Sequence, residues 1–167
     1  MKRTAAGTYA QEVITTNPAL LGNMFLASAV FLLGEGQTVD VVFLAPEHSD
    51  LNLMYSIHSE RSVLFTKYEN PVYGEGYPTE AFNRFRGSKL ISEASVILEP
   101  TIKEPGLQLF STQIGGGFKD GATGGDFRED LGFVVKSLTP YLFRFENKFP
   151  ADSYVSIKFD WIEDVRE

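Results

Sequence analysis

The sequence predicts an all-β protein, an antiparallel β-sandwich of jelly-roll-like form with long aromatic and glycine-rich loops. Two observations carry that expectation. The first is alternation: across residues 153–161, Val155, Ile157, Phe159 and Trp161 alternate with Ser156, Lys158 and Asp160, the period of a half-buried strand. The second is spacing: short runs enriched in Val, Ile, Phe and Tyr recur along the chain, bounded by Gly, Pro, Asn or Asp. Roughly eight or nine short strands so spaced suggest a sandwich or a jelly roll.

In chain order, residues 1–18 read as a flexible arm and residues 19–167 as a single β-sandwich domain. The apolar run 24–33 could be a buried strand or a short buried helix, and is taken as a strand. Further strands are expected at 39–44, 51–59, 63–68, 94–98, 107–112 and 132–136. In residues 140–147, Tyr141, Phe143 and Phe145 alternate with Arg144 and Glu146, so this segment and 153–161 are expected to pair as a hairpin around residues 148–152. The same alternation places Trp161 on the inward face of the last strand.

Two segments break the strand pattern. Residues 70–89 carry Pro71, Gly74, Gly76, Pro78 and Gly87 beside Tyr73, Tyr77, Phe82 and Phe85, and read as a long loop pinned by aromatics. Residues 115–130 hold six glycines between 115 and 125 and end on Asp126, Glu129 and Asp130, the composition of a flexible excursion.

Composition narrows the function classes. A chain of 167 residues, 43% hydrophobic and 13% aromatic, can bury about 70% of its unfolded surface in one core. It lies far from the low-hydrophobicity, high-charge range of disordered chains. A net charge of −7 opposes nucleic acid as a partner, and only Arg84, Arg86 and Lys89 make a local positive spot. The absence of cysteine excludes disulfides, thiolate metal sites and cysteine nucleophiles. The most apolar region, 20–33, is interrupted by Asn23 and Ser28 and falls short of the ~20 residues of a membrane span. It also lacks the flanks of a secretory signal, so a soluble protein made in the cytoplasm, with no membrane partner, is expected.

No residue set announces catalysis. His48 and His58 are the two histidines, without metal-ligand spacing, and no Gly-x-Ser-x-Gly elbow accompanies them. The run 115–121 lacks the Gly-Lys-Ser/Thr ending of a phosphate loop. Asp120, Asp126, Glu129 and Asp130 could offer oxygens to Ca²⁺, but not at EF-hand spacing, and read as solvated acids. None of the 22 carboxylates stands out as half of a glycosidase pair. No metal, cofactor or catalytic residue is therefore expected. The functional candidates are Tyr73, Tyr77, Phe82, Arg84, Phe85 and Arg86, because Tyr and Arg dominate interface hot spots and aromatic rings stack on sugars. The alternative is that these side chains pack the loop onto the sandwich.

An ordered set of short motifs runs through residues 63–163: Asn70-Pro71, Gly76, Asn83-Arg84, Gly115-Gly116-Gly117 through Arg128, Pro140-Tyr141-Leu142 with Asn147, and Trp161-Ile162-Glu163. The set resembles a family of small virion proteins of tailed bacteriophages, usually encoded among the head genes. Where that family has Asn-Arg-Asn-Arg, this chain has Asn83-Arg84-Phe85-Arg86, and residues 1–62 match in strand texture alone. The resemblance implies a non-enzymatic capsid decoration, or cement, protein of β-sandwich type. It would sit on the outside of the virion head, bind the major capsid protein and assemble as a homo-oligomer, a trimer rather than a dimer. A receptor- or carbohydrate-binding module of a tail fibre would use the same loops, and a glycosidase-like hydrolase is a third reading.

Overall fold

Alternating burial is clearest in two of the long strands, residues 51–59 and 153–162. In the computed structural model, which describes residues 21–47, 50–115 and 125–163, the last strand buries Ser153, Val155, Ile157, Phe159 and Trp161 and leaves the residues between them half or fully exposed. The strands in chain order are β1 (Met24–Leu33), β2 (Thr38–Leu44), β3 (Leu51–Ser59), β4 (Val63–Glu69), β5 (Val72–Tyr73), β6 (Tyr77–Thr79), β7 (Phe82–Asn83), β8 (Ser95–Leu98), β9 (Ile102–Glu104), β10 (Leu107–Ile114), β11 (Gly125–Val135), β12 (Pro140–Asn147) and β13 (Ser153–Ile162).

Two antiparallel sheets carry them, ordered β11-β3-β13-β1-β7 and β10-β4-β12-β2-β8-β6, with β5 and β9 forming a separate ribbon. Without the short strands β5 to β9, the sheets are β11-β3-β13-β1 and β10-β4-β12-β2, and the chain swings from one to the other at almost every connection. That interleaving is the jelly roll. The inward residues of both sheets meet in one core built on Phe25, Phe43, Phe65, Phe143, Phe159 and Trp161.

The expected hairpin of residues 140–147 with 153–161 does not form. β12 pairs with β2 and β4, whereas β13 pairs with β1 and β3 in the other sheet. Alternation reports that a strand has one buried face, which is equally true of two strands facing each other across a core. The strand expected at 132–136 is also longer than its apolar part: β11 begins at Gly125, and Asp126, Phe127, Arg128 and Glu129 align with β3 before a register shift ahead of Phe133. Residues 116–124, most of the expected flexible excursion, lie outside the described residues, as does the expected arm 1–18.

Between β4 and β10 the chain makes one large detour, residues 70–106. It leaves and returns at one lateral border of the sandwich, yet its strands extend the opposite border: β7 lies beyond β1, and β8 and β6 lie beyond β2. Residues 70–89 are therefore not purely loop, since β5, β6 and β7 fall inside them. Gly76 makes the tight passage possible, because a Cβ there would stand 2.7 Å from Ile97 Cγ2 and 2.8 Å from Pro100 Cα.

Candidate functional site

The motif residues in the detour work first as fastenings. Asn83, buried at the end of β7, donates from Nδ2 to the carbonyls of Gly22 and Leu90 and accepts the Phe85 N–H at 2.9 Å. This one amide closes the turn 83–90 and ties it to the start of β1. Arg84 reaches across the outer face of the first sheet to Asp160 on β13, its Nε at 2.9 Å from Oδ1, and Lys158 shares that carboxylate at 2.9 Å.

Glu163 is the second fastening. Its carboxylate, 3% exposed, accepts the Trp161 Nε1–H at 2.7 Å, the Glu93 N–H at 3.0 Å and the Ala94 N–H at 3.2 Å, with the Ser92 hydroxyl completing the set. A buried carboxylate needs such donors to offset its desolvation. Here Ser92, Glu93 and Ala94 of the returning limb of the detour supply three of them, and Trp161 on β13 the fourth. Asn147 acts alike between β12 and β13, donating to the carbonyls of Leu33 at 2.9 Å and Ala151 at 2.8 Å.

With the turn anchored, its apolar side chains stay outside. Phe82 and Phe85 are 40% and 47% exposed, Ile91 is 84% exposed, and Leu21 and Leu90 are exposed beside them. Arg86 lies over the Phe82 ring, 5.5 Å from its centroid. The six sequence candidates thus divide. Phe82, Phe85 and Arg86 gather on the turn. Arg84 is committed to Asp160. Tyr77, on β6, is exposed at the border of the other sheet. Tyr73, on β5, is half-buried, and that burial raises its hydroxyl pKa. Among the described residues no ring contact joins Tyr73 or Tyr77 to Phe82 or Phe85.

Asn83→Ala is expected to lower stability by about 1–3 kcal/mol, the penalty for stranding buried partners, and to open residues 84–91 to limited proteolysis while far-UV circular dichroism stays that of a β protein. Proteolysis at the unsubstituted rate would remove Asn83 from this role.

The remaining polar candidates whose side chains are described, His58, Asp126 and Glu129, stand on β3 and β11. His58 Nδ1 lies 2.7 Å from Asp126 Oδ1, an exposed pair across β3 and β11. No group of three or more metal-ligating side chains occurs among the described residues. His48 and Asp120 lie outside the described residues, and so does the side chain of Asp130.

Sequence reading passed over Lys67. It continues the inward set Val63 and Phe65 of β4, so the parity of the strand already assigns it to the core. Its ammonium sits 3.5 Å from the centroid of Phe133 and 5.1 Å from those of Tyr55 and Phe110, and donates to the Tyr55 hydroxyl at 3.2 Å. Desolvation lowers its pKa to about 8, against an upward pull from Glu129, which stands opposite Tyr55 in register.

No family model matches the chain, and no curated protein matches it. Among solved structures the chain is similar to the Yersinia pseudotuberculosis-derived mitogen, at 11% identity over 85% of this chain and 89% of that one, with a TM-score of 0.42. A likeness at that level carries nothing of the mitogen's activity to this protein.

Proposed function

We propose that the protein is a non-enzymatic virion component of a tailed bacteriophage, a capsid decoration protein that binds the outside of the head and stabilises contacts between major capsid subunits. The observation that supports this reading is the anchored turn. Asn83, Asn147, Trp161 and Glu163, residues of the ordered set that resembles the phage family, are the ones that bind the detour and the closing strand to the sandwich. The resemblance therefore falls on the parts that hold Phe82, Phe85 and Arg86 in place.

Such a turn suits a structural partner. A rigid apolar and arginine-bearing knob loses little conformational entropy on docking, and residues of this type supply the hot spots of interfaces that bury ~1,600 Å². Repetition over a symmetric lattice then makes modest single contacts sufficient. Assembly as a homotrimer, with the major capsid protein as partner and the virion surface as location, belongs to the same proposal.

The test is addition of purified protein to heads that lack it. Phe82→Ala with Phe85→Ala should leave the isolated fold intact and lower occupancy on heads by tenfold or more, the effect of about 1.4 kcal/mol lost per site. Arg84 is a poorer probe because its ion pair with Asp160 is part of the fold. Heads carrying the unsubstituted protein should survive higher temperature than bare heads. If the protein ignores heads yet binds a defined glycan through this turn, the tail-fibre reading replaces decoration.

A further inference from the structure

The outer face of the first sheet carries polar groups that the fastenings do not use up. β1, β13, β3 and β11 lie side by side, and their register sets Ser28, Lys158, Ser56 and Arg128 abreast on that face. The next row on the same face is Val30, Ser156, His58 and Asp126. Three serines therefore floor the middle of the sheet, with longer charged side chains around them.

Two clefts open on these rows. One, of about 410 Å³, reaches from Met24, Arg84 and Asp160 to Glu129. The other, of about 300 Å³, lies over Ser28, Ser156, His58 and Asp126. Ser56, Lys158 and Arg128 line both, so the two clefts meet there. Lys158 and Arg128 stand two strand spacings apart, about 10 Å between backbones, and straddle Ser56.

The charges at this junction are unevenly matched. Asp160 is held by Arg84 and Lys158 together, and Asp126 by His58. Glu129 has the opposite parity to Arg128, stands beside Tyr55 and acts on Lys67. Arg128 is exposed and has no ion-pair partner among the described residues. A guanidinium with free donors, facing an ammonium across a hydroxyl, is a donor set for an oxyanion. The net charge of −7 does not oppose this, because at physiological salt exposed charges are screened beyond about 8 Å and the near cations dominate.

We propose that this face binds an acidic saccharide, its carboxylate between Lys158 and Arg128 over Ser56 and its hydroxyls toward Ser28, Ser156 and the pair of His58 with Asp126. The mixture of groups favours that occupant. A protein partner would call for an apolar centre to the interface, whereas this centre is serine, lysine and arginine. An inorganic anion would use the cations alone, without the hydroxyls, imidazole and carboxylate of the second cleft. The site lies apart from Phe82, Phe85 and Arg86, so its failure leaves the decoration reading untouched.

NMR chemical-shift titration of the full chain tests this with sodium glucuronate, glucose, sodium sulfate and a tetraglutamate peptide as probes. Glucuronate should shift the amides of Ser56, His58, Ser156 and Lys158, and bind at least about tenfold tighter than glucose, which lacks the carboxylate. Arg128→Gln should weaken glucuronate at least about tenfold, the loss of one charge-assisted pair. The thermal midpoint of that variant should be unchanged, because the side chain it removes is exposed. Equal affinity for glucuronate and glucose, unchanged affinity in the Arg128→Gln variant, or no shifts through the millimolar range would each overturn the proposal. Sulfate binding as tightly as glucuronate would make this an inorganic-anion site, and tighter binding of the peptide would assign the face to an acidic protein. Either result overturns the saccharide assignment.

Discussion

Trp161→Ala is expected to lower the unfolding free energy by about 3–5 kcal/mol, the range for truncating a large buried aromatic. The side chain is 0% exposed, stacks on Phe25 at a centroid distance of 6.1 Å and meets Phe43 edge-on at 5.3 Å, so its removal empties a site bounded by both sheets. A second loss adds to the cavity. The indole N–H is one of the donors around the Glu163 carboxylate, and its removal leaves a buried charge short of a partner while that charge still holds Glu93 and Ala94. Trp161→Phe weights the second effect, since it keeps most of the ring volume while losing the donor. Urea denaturation followed by circular dichroism measures both variants, and a loss below ~1 kcal/mol for the alanine variant would place Trp161 outside the core.

What could be read from the sequence follows from what alternation encodes. β12 and β13 are legible because Tyr141, Phe143 and Phe145, and then Val155, Ile157, Phe159 and Trp161, mark one buried face each. Their partners are not legible, because the facing sheet supplies the same apolar environment as a hairpin neighbour would. β11 is hidden for a different reason. Its first half, Gly125 to Glu129, is polar and glycine-bearing, and its ladder is set by β3 rather than by its own propensity. The candidate site shows the same limit. Phe82, Phe85 and Arg86 could be read from composition, whereas the ion pair of Arg84 joins residues 76 positions apart and becomes visible only once β7 lies across β1 from β13. Lys67 was available in the pattern, since an inward parity shared with Val63 and Phe65 outranks the habit of placing lysine at the surface.

Lys67 gives the second large effect, a stability that rises with pH between about 8 and 10. Its pKa in the folded state is lowered to about 8, chiefly by desolvation, whereas in the unfolded chain it titrates near 10.4. Between those values the unfolded state holds a proton that the folded state has released, so unfolding takes up a proton and the unfolding free energy climbs by about 1.4 kcal/mol per pH unit. Below pH 8 both states are charged, and the fold bears the whole penalty of an ammonium enclosed by Tyr55, Phe110 and Phe133. Across the window the gain is about 3 kcal/mol. Glu129 opposes the downward shift, so Glu129→Gln should lower the pKa further and start the rise at lower pH. The tyrosines act in the opposite sense at higher pH: Tyr55, Tyr73 and Tyr141 have raised pKa values, so their burial loses stability once the unfolded chain ionises near pH 10. Denaturant midpoints between pH 7 and 9.5 isolate the lysine. Lys67→Met, similar in length and able to fill the same aromatic enclosure, should be more stable than the unsubstituted protein at pH 7 and show no rise over this range. A rise of the same slope in the methionine variant would assign the titration to another group and leave Lys67 without this role.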